Sequence, residues 1–169
     1  ISYDSVVVET SAQSLDGFLA GRCDVLTSDV SQLASLRAAM ANPSDAVVLG
    51  NVISKEPLGP VVRQGDDEWF NIVKWTLIAM IQAEESGVTS ENIDTETTNP
   101  TIERIAGRSS QTHEYLHLSP SWSYDIIKQV GNYGESFERN IGVNTPIGLS
   151  RGPNQLWTKG GILYAPAFR

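Results

Sequence analysis

The sequence predicts an α/β fold that becomes helix-rich in its second half. Three observations carry this: an opening that alternates short apolar runs with helical patterns, a proline- and glycine-punctuated stretch from Lys55, and a long apolar helix beginning near Asp67. Val6 to Val8 reads as a first strand. Ser11 to Ala20 follows as a helix, with cap-type Ser11 and Ser14 at its start, Leu15, Phe18 and Leu19 on one face, and Gly21 as its stop. Cys23 to Leu26 is a short apolar-rich strand, Asp24 apart, running into Thr27-Ser28-Asp29. That trio is a capping sequence for a helix over Val30 to Met40, with Val30, Leu33, Leu36 and Met40 inward. Asn42-Pro43 ends the helix, and Val47 to Ile53 reads as a third strand, completing a βαβαβ-like run.

From Lys55 the chain reads Lys-Glu-Pro-Leu-Gly-Pro-Val-Val-Arg, an extended crossing between two compact bodies. Residues 1–56 are therefore expected to form one α/β body, 57–63 a hinge strand, and 64–169 a helical body with a tail. Asp66, Asp67 and Glu68 place three acids at a helix N-terminus, where the helix dipole favours them, and the helix runs to about Glu85 before Gly87. Trp69, Phe70, Ile72, Val73, Trp75, Leu77, Ile78, Met80 and Ile81 cover more than half of its circumference, so it should be buried among other elements. Shorter helices are expected over Thr101 to Ala106 and Trp122 to Val130. Gly107 to Pro120 reads as a loop with at most a turn or two of helix, and the tail after Asn140 has no periodicity except near Asn154 to Trp157.

At 169 residues the chain is one domain or two small lobes, and its net charge of −8 repels phosphate backbones and anionic headgroups. No nucleic acid and no membrane surface is expected as a partner. No apolar run reaches the roughly 20 residues needed to span a bilayer; the nearest, Trp69 to Ala83, is broken by Asn71 and Lys74. No secretion-signal pattern stands at Ile1, so any such signal would lie upstream. The single Cys23 is either a small buried hydrophobe on a strand or one member of a pair whose partner lies elsewhere.

His113-Glu114-Tyr115-Leu116-His117 matches the HExxH pattern, which sets two imidazoles one helical turn apart on zinc with the glutamate as general base. That chemistry needs a stable helix and a third ligand. Here the string sits in a loop-like stretch with Pro120 close behind, while Glu135 and Glu138 lie roughly where a downstream carboxylate ligand would fall, so spacing alone leaves a third ligand open. His113, Glu114 and His117 are accordingly read as a chance match, with a zinc-dependent hydrolase as the alternative function. No nucleophile elbow, phosphate loop or cysteine–histidine pair is present, so no enzyme activity and no cofactor is expected.

Four stretches, Ala20 to Asp29, Ser54 to Trp69, Val130 to Asn140 and Arg151 to Gly161, closely resemble the general and polar amino-acid-binding proteins, the solute receptors of bacterial ABC importers. The resemblance covers nearly the whole chain in order and is to the later part of that family only. It implies the C-terminal part of a two-lobe type 2 periplasmic-binding-protein fold: 1–56 the remainder of lobe two, 57–63 the hinge return, 64–169 lobe-one helices and tail. It further implies a periplasmic location, a free L-amino acid of polar or broad specificity as ligand, a permease in the inner membrane as partner, and the N-terminal half of the same receptor as a second partner. Family members clamp the ligand α-carboxylate with an arginine and its α-ammonium with a lobe-two aspartate. Asp29 matches that aspartate, whereas the arginine is expected upstream of Ile1. A helix N-cap is the other role open to Asp29, and Thr27 and Ser28 either line the same cleft or cap the helix. The partner of Cys23 would, by the same resemblance, lie on an upstream strand. A sensor built on the same fold is a further alternative.

Overall fold

The computed structural model describes residues 2–95 and 97–167. They divide into two compact units, Ile1–Pro57 with Pro146–Leu149, and Leu58–Thr145 with Ser150–Arg169.

The first unit holds two helices. Thr10, one residue before the expected cap, opens α1 (Ser11–Leu19): its hydroxyl accepts from the Gln13 N–H at 3.2 Å while the Gln13 side chain accepts from the Thr10 N–H at 3.2 Å. Asp29 precedes α2 (Val30–Ala38). The expected strands at Val6 to Val8, Cys23 to Leu26 and Val47 to Ile53 are not formed. Among the described residues the only β-pairing is an isolated bridge between Leu156 and Leu163. The three segments carry no regular secondary structure, and several of their apolar side chains stand in solvent, Val7 at 88% and Ile53 at 85% exposed. Local sequence can set an extended conformation, but a strand exists only when a neighbour takes its N–H and C=O groups. The inward face expected for α2 also shifts. Val30 is exposed and Ala34 is the buried residue, because no sheet covers the first turn.

The second unit is helical. α3 (Asp67–Glu85) is its axis, and α4 (Pro100–Ile105), α5 (Thr112–Leu116), α6 (Trp122–Val130) and α7 (Tyr133–Asn140) pack on it. Asp66 caps α3 by accepting from the Trp69 N–H at 3.0 Å. The expectation of burial on all sides holds only for the second half of α3, where Ile78, Ala79, Ile81 and Ala83 are buried; Trp69 and Phe70 remain about half exposed. The surrounding helices supply Ile105, Trp122 and Ile127, and the loops Val88 and Ile93. Ile127 is fully buried, so Ile127→Val in the full-length protein should lower stability by about 1 kcal/mol in chemical denaturation.

α7 was not expected from periodicity; its signal is a capping box. The Asn132 side chain accepts from the Glu135 N–H at 2.9 Å and Glu135 Oε2 accepts from the Asn132 N–H at 2.8 Å, while Gly131 at φ 90° breaks the chain out of α6. Glu135 also accepts from the Ser90 hydroxyl at 2.6 Å. Burial pushes the Glu135 carboxyl up, but the bonds from the Ser90 hydroxyl and the Asn132 and Ser90 N–H groups outweigh it and hold the group below the usual glutamate range. A depressed folded value contributes stability above the unfolded pKa and loses it as pH falls through the folded one. Carboxyl NMR titration should therefore find the Glu135 midpoint below that of an ordinary glutamate, and higher in Ser90→Ala.

Arg151 ties the tail to this unit. It is 8% exposed and donates to Glu84 Oε2 at 2.9 Å and to the Asn154 carbonyl from both Nε and Nη2, at 3.0 and 2.8 Å. Its guanidinium also stacks on the Tyr133 and Phe137 rings, each centroid 5.2 Å away. Gly134 makes room for it, since a Cβ there would stand 2.9 Å from Arg151 Nη1.

Candidate functional site

The residues singled out for ligand contact meet at the start of α2. The segment 25–28, without regular secondary structure, leads to Asp29, whose carbonyl accepts from the Leu33 N–H at 2.9 Å and whose φ and ψ of −56° and 143° lie outside the helix. Its carboxylate makes no cap bond. Of the two roles left open, helix capping is thus not the one seen. The carboxylate is half-buried at the positive end of a helix dipole, where a negative charge is favoured and a cationic group can be received.

Beside Asp29 the polar side chains form a chain of hydrogen bonds. The Ser28 hydroxyl donates to Gln32 Oε1, and Gln32 Nε2 donates to the Ser11 hydroxyl at 2.9 Å, linking the start of α2 to the start of α1. A hollow of about 230 Å3 opens over this link, with Thr27, Ser28 and Gln32 on one side and Val8, Thr10 and Ser11 on the other. Asp29 does not line it. Thr27 and Ser28 are thereby brought together with Ser11 and Gln32, which the sequence reading did not include. Nothing local marks that pair, because the two residues are 21 positions apart. Cys23, on the approach to this site, is a half-buried free thiol.

The HExxH residues lie in the second unit. α5 ends at Leu116 and His117 is its C-cap in the left-handed region, φ 53°. The two histidines are therefore not stacked on one helical turn as the zinc motif requires. The His113 ring bonds the Ser110 carbonyl at 3.1 Å, and His117 reaches away to Glu68 Oε1 at 3.1 Å. Among the described residues no three histidine, cysteine or acidic side chains come together as metal ligands. A hollow of about 250 Å3 near α5 is lined by Trp75, Thr112, Tyr115, Leu116 and Ala167.

No family model matches the chain. Individual proteins do. The Escherichia coli K12 protein YhdW is 51% identical over 172 residues, covering all of this chain and 50% of YhdW. AapJ of Rhizobium johnstonii, named a general L-amino acid-binding periplasmic protein, is 50% identical over 173 residues, covering all of this chain and 51% of AapJ. Among solved structures, an ABC transporter/periplasmic binding protein from Brucella ovis with glutathione bound matches with a TM-score of 0.89 and 45% identity, over 97% of this chain and 52% of that one. The chain spans about half the length of the curated relatives it matches.

Proposed function

Because the chain is homologous along its whole length to amino-acid ABC-transporter binding proteins, we propose that it is the later half of a receptor that captures a free amino acid between two lobes and passes it to an inner-membrane permease. The observation that carries this reading is the Brucella ovis match, in which sequence identity and backbone geometry agree over nearly the entire chain. The receptor works in the periplasm, makes and breaks no bond, and needs no cofactor.

Asp29 accepts the ligand α-ammonium. Its carboxylate is unused in capping and sits where a strand-like segment gives way to a helix, the position from which α/β folds present side chains to a crevice. The α-carboxylate falls to an arginine in the upstream half, completing a charge-paired clamp around a zwitterion. AapJ is named for general L-amino acids and the Brucella ovis protein holds glutathione, whose γ-glutamyl end carries the same α-ammonium and α-carboxylate pair. A recognition site built on that pair accommodates both. Thr27 and Ser28 stand beside Asp29 as weaker contacts. In the assignment that follows, residues 1–56 complete lobe two, 57–63 return through the hinge, and 64–169 belong to lobe one and its tail.

Calorimetry of the full-length receptor with a panel of L-amino acids should give saturable one-to-one binding, with the ligand recovered chemically unchanged. Failure of every member of the panel to bind, or recovery of a converted product, would remove the receptor reading.

A further inference from the structure

Gln32 stands between two hydroxyls and fixes what one of them can offer. Its side chain is half-buried in the first turn of α2, and Val8, Leu26 and Leu36 line the same hollow. A glutamine amide has an accepting end and a donating end. Here Oε1 takes the proton of the Ser28 hydroxyl, and Nε2 donates to the Ser11 hydroxyl at 2.9 Å. Engaged at both ends, the amide is held from α1 as well as from α2. The four-residue spacing between Ser28 and Gln32 would by itself leave it free to turn over; the bond to Ser11, 21 positions away, is the anchor.

A serine hydroxyl carries one proton and two lone pairs. The Ser28 proton is committed to Gln32, so toward solvent, where Ser28 is exposed, it presents lone pairs alone. Asp29, next in the chain, brings a carboxylate that makes no cap bond. Two neighbouring acceptors without a proton between them receive a donor-rich cation and turn away an anion. A Ser28 proton left uncommitted would instead be open to carboxylates, that of Asp29 or that of a ligand, and would compete with the cation.

We infer that Gln32 is a positioning residue of the amino-acid site: anchored on Ser11, it holds the Ser28 hydroxyl as an acceptor, so that Ser28 and Asp29 together receive the ligand ammonium. This rests on the receptor reading above. Gln32 does not touch the ligand; it acts through Ser28.

The test is calorimetry of the full-length receptor with the L-amino acid that the parent binds most tightly. Gln32→Leu should weaken binding about 5- to 10-fold. In Ser28→Ala, itself weakened, the same change should alter Kd by less than about twofold, because the hydroxyl it acts through is gone. Gln32→Glu, whose carboxylate accepts from both hydroxyls, should bring Kd back to within about threefold of the parent. Ser11→Ala repeats the test without altering α2, and its loss of about two- to fivefold should likewise vanish in Ser28→Ala. Unchanged affinity in Gln32→Leu, an equal loss with and without the Ser28 hydroxyl, or no recovery in Gln32→Glu would each overturn the assignment. An equal loss is what a purely structural link between α1 and α2 gives, and no recovery is what an amide turned the other way, donating to Ser28, gives. Any of these in a receptor that binds removes Gln32 and leaves the receptor reading. A parent that binds no amino acid sinks the receptor reading and the assignment with it.

Discussion

Arg151→Ala in the full-length protein is expected to lower stability by about 3–5 kcal/mol, because it leaves the Glu84 carboxylate buried without its partner. Both side chains are about nine-tenths buried, so water cannot replace the lost guanidinium. The same change releases the Asn154 carbonyl and uncovers the Tyr133 and Phe137 rings, so the tail beyond Ser150 should loosen from the helical unit. Removing both charges separates the terms. Arg151→Met with Glu84→Leu should recover much of the loss, since an apolar pair of similar volume carries no desolvation penalty. Urea unfolding followed by tryptophan fluorescence reads both variants. A single mutant within about 1 kcal/mol of the parent would show that neither the ion pair nor the ring contacts of Arg151 add much to stability.

Asp29→Ala should weaken amino-acid binding by the full-length receptor by about 2–5 kcal/mol, roughly 30- to 4000-fold in Kd, since it strands a desolvated ammonium without a counter-charge. Fold stability should change little, because the carboxylate makes no cap bond in the structure. That pairing of outcomes is the informative one. A plain N-cap would behave in reverse, costing stability by about 1 kcal/mol and leaving affinity alone. Calorimetry and thermal unfolding on the same preparations distinguish the two, and an unchanged Kd in Asp29→Ala would take Asp29 out of the site.

Where the sequence pattern and the structure agree, the governing interactions are short-range. The bounds of α1, α3, α4 and α6 could be read to within a residue or two from caps, acids in the first turn and glycine stops. α7 was legible in principle from the Asn132 and Glu135 capping box, which periodicity alone overlooks because Tyr133 to Asn140 is polar apart from Tyr133 and Phe137. The HExxH string shows the opposite case. Its letters are intact, but the left-handed turn at His117 removes the spatial meaning of the spacing. Asp29 was legible as the residue that stands at the head of α2. The link from Gln32 to Ser11 was not, because it joins side chains from two helices whose relative placement no local pattern encodes.

The sequence by itself determined the segments that become α1, α2, α3, α4 and α6, where the chain changes character near Lys55, that Asp29 stands at the head of a helix, and the family to which the chain is homologous. Only the tertiary structure decided which half of α3 is buried, that Asp29 leaves its cap unmade, that Arg151 and Glu84 close the tail, and that Val6 to Val8 and Cys23 to Leu26 stay unpaired. The division has one physical cause. Helices are closed by hydrogen bonds four residues apart and are written locally, whereas burial, ion pairs and β-ladders depend on partners remote in sequence, and a strand is completed only by the segment beside it.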